Sequence, residues 1–80
     1  MKKRGNPSIQ ERFGLAVKTL REKQNLTQEE LAHRAGLHRT YLSDIERGFR
    51  NPSLINIEKL ALALDTPLPA LFAHTCELTR

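Results

Sequence analysis

Leu26 to Gly48 reads LTQEELAHRAGLHRTYLSDIERG, and this stretch decides the fold. Thr27 followed by Glu30 is a capping box: the threonine oxygen accepts from the Glu30 amide while the glutamate reaches back to the Thr27 amide. The helix it opens runs to about Arg34 or Ala35 and buries Leu31, Ala32 and Ala35. Gly36 stands where a left-handed residue ends a helix. A second short helix follows, from about Arg39 to Arg47, and Gly48 closes it. Tyr41, Leu42 and Ile45 point inward with Leu37. Arg39, Thr40, Ser43, Asp44 and Arg47 fall on the opposite side at i, i+1, i+4, i+5 and i+8. The stretch therefore predicts two helices joined by a tight turn, the second with one face that packs and one that is free.

Working outward, residues 1–7 (MKKRGNP) read as a flexible basic arm. Ser8 and Glu11 form another capping box, opening a helix to about Lys23 with an apolar stripe of Ile9, Phe13, Ala16, Val17 and Leu20. Gln24-Asn25 ends it. Beyond Gly48, Phe49 is expected to plug the core as the chain turns. Asn51-Pro52-Ser53 is a turn followed by a cap. The fourth helix covers about Leu54 to Leu64, with Leu54, Ile57, Leu60, Ala61 and Leu64 as its main stripe. Ile55 and Leu62 form a second stripe, so this helix needs two partners. Pro67 and Pro69 punctuate the chain before a short fifth helix, about Pro69 to Ala73, carrying Leu71 and Phe72. Thr75 to Arg80 reads as a frayed tail. The expected organisation is an arm over 1–7, one all-α, five-helix domain over 8–74, and a tail over 75–80.

Composition sets the bounds. Eighty residues with 39% apolar content make one small domain, with no room for a second domain or a deep catalytic pocket. Leu, Ala, Glu, Lys, Arg and Gln favour helix. The net charge of +4 is unevenly placed: residues 1–50 hold 11 Lys/Arg against 6 Asp/Glu, and residues 51–80 hold 2 against 3. A polyanion would meet the first fifty residues. The lone Cys76 forms no intrachain disulfide, which suits a reducing cytoplasm. No apolar run approaches the ~20 residues that cross a bilayer. Met1-Lys2-Lys3-Arg4 is not followed by the apolar segment of a signal peptide.

The free face of the second short helix carries the side chains that read base edges. The major groove admits a helix and displays donors and acceptors specific to each base pair. Arg39 is able to bond O6 and N7 of guanine together. Thr40 offers a methyl or a hydroxyl, and Ser43 donates or accepts. Asp44 only accepts, so it either faces a cytosine amine or orients Arg39 or Arg47 through a salt bridge. Phosphate contacts would set the register. The candidates are Thr27, Gln28, His38, Tyr41, Arg47, Arg50, Asn51 and Ser53, with Gln28 at a helix start that favours an anion. A polar helix face is in most proteins simply solvated. Here it follows a second helix, a glycine turn and a basic half-chain, which favours recognition. Tyr41 reads first as a core residue with an outward hydroxyl. Glu29 with His33, and His74 with Cys76, lack the further ligands a metal needs. No glycine-rich phosphate loop or catalytic spacing is present.

LTQEELAHRAGLHRTYLSDIERGFRNPSLINIEKLALAL, with the helix ending Leu71-Phe72, resembles the phage-repressor (Xre-like) helix-turn-helix family. The resemblance covers roughly Phe13 to Phe72 and includes Thr-Gln-Glu-Glu-Leu-Ala, Ile-Glu-Arg-Gly and Asn-Pro-Ser in order. It implies a five-helix bundle that binds operator DNA as a twofold dimer. It also implies base reading by Arg39, Thr40, Ser43 and Asp44, backbone contacts at Gln28, Arg50 and Asn51, and an Arg21–Glu46 salt bridge tying the first helix to the third. Within the family, Arg39-Thr40-Tyr41-Leu42-Ser43 and Ile45-Glu46-Arg47 are similar to the controller proteins of restriction–modification systems. Pro67 and Pro69 depart from the family's Ser/Asp/Glu-rich cap, so the start of the fifth helix is expected to be displaced.

The reading is a cytoplasmic, sequence-specific regulator of transcription without enzymatic activity, cofactor or small-molecule effector. Its partners are double-stranded DNA and a second copy, met through Ile55, Leu62, Leu68, Leu71 and Phe72. An antitoxin-type or other protein-binding helical module is the main alternative. No residue constellation supports a small enzyme, and a nonspecific nucleoid-type binder should carry more charge than +4.

Overall fold

Each helix begins where local chemistry satisfies its first amides. The computed structural model describes residues 7–77, so the arm expected over 1–7, apart from Pro7, and the last residues of the tail lie outside it. Helix α1 (Ile9–Lys23) starts at Ser8, whose Oγ accepts from the Glu11 N–H at 3.0 Å while the Glu11 carboxylate accepts from the Ser8 N–H at 2.9 Å. Helix α2 (Gln28–Ala35) repeats the device with Thr27 and Glu30 at 3.0 and 2.8 Å. Gly36 closes α2 in the left-handed region at φ +71°, and the Leu37 N–H returns to the Ala32 carbonyl at 2.9 Å. Helix α3 spans Arg39–Glu46, with exposed His38 at its N-cap making no side-chain cap bond. Helix α4 (Leu54–Ala63) is capped by Ser53, whose Oγ accepts from the Asn56 N–H at 3.1 Å. Helix α5 covers Leu68–Glu77.

Helix α1 packs against α3 and α5, and α2 packs against α3 and α4. Phe13, Ala16, Val17 and Leu20 of α1 meet Leu31, Ala32 and Ala35 of α2, Leu42 and Ile45 of α3, Leu60, Ala61 and Leu64 of the α4 segment, and Leu71 of α5. Gly14 marks where α1 crosses the end of α3. A Cβ there would stand 2.8 Å from the Glu46 carbonyl oxygen and closer still to that of Ile45. No side chain fits.

Several sequence expectations are corrected. Phe49 is 67% exposed rather than a core plug. Its N–H donates to the Asp44 carbonyl, which turns the chain back at the end of α3 and leaves the ring outside. Ile9, on the first turn of α1, is also exposed. Leu54 is 75% exposed. At about 100° per residue, Leu54, Glu58, Leu62 and Ile55 fall within one ~100° arc, and Leu54 lies on its edge rather than with Leu60 and Leu64.

Helix α5 is longer than the expected Pro69 to Ala73. Pro67 supplies the carbonyl that accepts from the Ala70 and Leu71 N–H groups, both at 3.0 Å, so it sits at the helix entrance. Pro69 lies in the first turn, where no amide hydrogen is needed. Thr75 to Glu77 continue the helix; Thr75 is buried and its Oγ1 donates to the Leu71 carbonyl. Leu71 is fully buried in the core, so it is not available to a second copy. Phe72, one residue on, is at the edge, its ring 6.2 Å from that of Phe13.

Two outcomes follow from this packing. Gly14→Ala should lower the unfolding free energy measured in urea by about 1–3 kcal/mol or more, despite alanine's ~1 kcal/mol helix advantage, because α1 and α3 must separate. Gly36→Ala, with nothing within 4 Å of its Cβ, should cost only the ~1–2 kcal/mol of a left-handed residue. Bonds from the Thr27 backbone and side chain hold the Glu30 carboxyl below its ordinary value of 4.5. A depressed acid stabilises the fold above its unfolded pKa, and that contribution is lost as pH falls through the folded value, below 4.5. Thr27→Ala removes the side-chain contribution but keeps the larger backbone one, so in an NMR titration it should move the Glu30 carboxyl only part of the way back up.

Candidate nucleic-acid interface

The seat of α3 is a buried ion pair. Arg21 Nε donates to Glu46 Oε2 at 2.7 Å and a terminal Arg21 nitrogen donates to Oε1 at 3.0 Å. The other terminal nitrogen donates to the Leu26 carbonyl at 2.7 Å. The Arg21 side chain is 10% exposed and that of Glu46 2%. Hydrogen bonding to Glu46 raises the Arg21 pKa above the usual arginine value, outweighing the opposing effect of burial. A raised base stabilises the fold at every pH below its unfolded value and loses that contribution only above the arginine range, so the guanidinium stays charged at neutral pH. Gln28 Nε2 also donates to Glu46 Oε1, at 2.9 Å. One Glu46 carboxylate thus joins the end of α1, the start of α2 and the end of α3.

This arrangement places the residues singled out from the sequence. Arg39 and Thr40 are exposed at the start of α3, and Ser43 and Asp44 are half-buried one turn on. Arg39 borders an open cleft with Thr27, Gln28 and Glu29. One amide hydrogen of Gln28 is committed to Glu46, which holds the side chain at the mouth of this cleft and leaves the second for an outside acceptor. The Thr27 and Ser53 oxygens already accept from the first turns of α2 and α4, which leaves their hydroxyl hydrogens to donate.

Asp44 reaches neither Arg39 nor solvent alone. Its Oδ1 accepts from Arg47 at 3.3 Å and its Oδ2 from Arg50 at 3.4 Å. The Arg50 guanidinium lies over the Tyr41 ring, 5.3 Å from the centroid, and the Arg47 guanidinium over Phe49 at 4.7 Å. Tyr41 is half-buried, and its hydroxyl accepts from Asn56 Nδ2 at 3.1 Å. Sequence reasoning missed Asn56 and the role of Phe49. Neither carries a periodic or motif signal, because each partner comes from another segment. Among the described residues, no group of three or more His, Cys, Asp or Glu could hold a metal.

Residues 17–71, spanning α2, the Gly36 turn and α3, match the family model described as Helix-turn-helix. The chain belongs to this helix-turn-helix family. The helix-turn-helix protein is 58% identical over 53 residues to the control protein C.BamHI of Bacillus amyloliquefaciens, an alignment spanning 65% of each chain. It is 48% identical to the crystal structure of the restriction–modification controller protein C.AhdI from Aeromonas hydrophila, with a TM-score of 0.76, covering 78% of this chain and 94% of that one. It is 28% identical to the controller protein C.Esp1396I, solved as a tetramer in complex with its natural 35 base-pair operator, with a TM-score of 0.83 over 89% of this chain and 93% of that one.

In this helix-turn-helix protein the buried pair has a clear mutational signature. Arg21→Met leaves the Glu46 carboxylate buried without its main partner and should cost about 3–5 kcal/mol in urea unfolding. The double variant Arg21→Met/Glu46→Met should recover most of that loss.

Proposed function

We propose that this protein is a sequence-specific regulator of transcription that docks α3 in the major groove of a palindromic operator as a homodimer, and that it controls restriction–modification genes. The observation that carries this reading is the seated α3. Its inner side is locked by Leu42, Ile45 and Glu46, while its outer side presents Arg39, Thr40, Ser43 and Asp44. Arg39 stands at the end of the helix that enters the groove first, where its fork would take O6 and N7 of a guanine. Gln28 and the first turn of α2 would meet phosphate on one side. Arg50, Asn51 and the start of α4 would meet it on the other.

An exposed apolar face on α4 and α5 supports the dimer. Ile55 is 67% exposed, Leu62 74% and Leu54 75%, with half-buried Leu68 beside Leu54 and Ile55; Phe72 is exposed on a separate surface with Ile9 and Ile57. Such a cluster on a small protein favours a self-complementary twofold contact. Leu54 joins this set and Leu71 leaves it. The C.Esp1396I controller protein was solved as a tetramer on its natural 35 base-pair operator, and two-fold helix-turn-helix dimers place their half-sites about one DNA turn apart. A palindromic site read by two copies of this chain would have that spacing. The protein acts in the cytoplasm, with no catalysis, cofactor or small-molecule effector; no described helix is long and apolar enough to cross a membrane.

The test is selection of bound sequences from a random duplex pool. The expected result is an enriched palindrome with half-sites about one turn apart. Arg39→Ala should then weaken operator binding by ~1–3 kcal/mol and relax preference at one position of each half-site. A pool that stays random after selection rules out the specific regulator.

A further inference from the structure

We propose that Asp44 is a specificity-determining residue that works by repulsion: it holds Arg47 and Arg50 in the free protein and penalises DNA that offers it no donor. The inference rests on the reading of α3 as the groove-docking helix. It begins from a symmetric arrangement. One carboxylate accepts from two arginines, at 3.3 and 3.4 Å, and each guanidinium also lies over an aromatic ring, Phe49 or Tyr41. The Tyr41 ring is held through its hydroxyl by Asn56, and the backbone position of Phe49 is fixed beside Asp44 by its N–H bond to the Asp44 carbonyl at 2.8 Å. The exposed Phe49 ring is accounted for as a support for Arg47.

The arginine side chains are 60% and 52% exposed, whereas that of Asp44 is 21% exposed beneath them. Exposed ion pairs are weak and are screened by salt. A phosphate backbone competes well for both guanidinium groups. Once they leave, Asp44 remains on the docking face against a polyanion with its donors gone. A carboxylate accepts only. In the major groove it is satisfied where the base sequence presents an exocyclic amine, above all the N4 amine of cytosine. Every base pair carries one such amine, so the strand that bears it decides. Where a guanine or thymine acceptor faces Asp44 instead, the carboxylate either keeps its arginines from the phosphates or faces like charge unpaired. Both outcomes weaken noncognate binding more than cognate binding, so discrimination comes from a repulsive element as well as from attractive contacts.

The experiment measures dissociation constants of the full chain for its selected operator and for a random duplex of equal length, between 50 and 200 mM salt. Wild type is compared with Asp44→Asn and Asp44→Ala. Both variants keep the backbone bond to Phe49, and circular dichroism should show the same helix content. Asp65→Asn, in the turn between α4 and α5, supplies the same charge change away from α3. We expect either Asp44 variant to bind random DNA about tenfold more tightly at low salt, with a salt slope steeper by about one. Operator affinity should change less, so the specificity ratio falls several-fold. Asp65→Asn should move both duplexes alike and leave the ratio intact. An unchanged ratio in the Asp44 variants, beside a clear wild-type preference, overturns the role of Asp44 and leaves the regulator reading standing. A wild-type protein that shows no preference overturns both.

Discussion

Glu46 must be paired because it is buried. An ionised carboxylate taken out of water costs several kcal/mol unless donors replace the solvent. Here the Arg21 fork and the Gln28 amide do so at 2.7, 3.0 and 2.9 Å. The net gain in stability over an apolar contact of similar shape is small. The gain in geometry is larger. Apolar side chains such as Val17, Leu42 and Ile45 would tolerate small slides of α3, whereas a planar fork meeting a carboxylate has few acceptable arrangements. The angle at which α3 leaves the core is set by that constraint, and every contact on its outer face inherits it.

The same junction explains why so short a helix persists. Eight residues do not hold helical structure alone in water. Helix α3 is instead clasped at its end by Glu46, by the backbone turn through Gly48 and Phe49, and by the side-chain-free surface of α1 at Gly14. The close crossing at Gly14 lets Glu46 and Arg21 meet over the short reach of their side chains. A larger residue there would strain the ion pair as well as the packing.

The outer surface divides into two regions with different physics. Around α3 lie charges that are mutually engaged before any partner arrives: Asp44 with Arg47 and Arg50, and the arginines with Phe49 and Tyr41. Partners there exchange one set of polar contacts for another, so selectivity depends on which contacts are regained. Along α4 lies an apolar strip from Leu54 and Ile55 to Leu62. Burying that strip is favourable without demanding particular partners atom by atom. On the proposed reading, the first region would read a sequence and the second would pair two copies. They lie on different helices of one small core.

Much of the architecture was legible in the sequence because it is local. The capping boxes at Ser8 and Thr27, the left-handed Gly36 and the apolar spacing of α1 to α3 depend on residues within a turn or two of one another. A local rule also covers Pro67 and Pro69, which are tolerated at a helix entrance, although their effect on the length of α5 emerged only with Leu71 and Thr75 packed inward. Tertiary structure decided what periodicity leaves open. Ile9 and Leu54 are apolar yet face out, Leu54 because it lies on the edge of the outer arc of α4. Phe49 is apolar yet exposed, and Asp44 takes Arg47 and Arg50 rather than Arg39. Spacing along a chain dictates which side chains share a face. Only the crossing of helices far apart in sequence dictates which of them find a partner there, since charge pairing and burial act over a few ångströms of space rather than over positions in the chain.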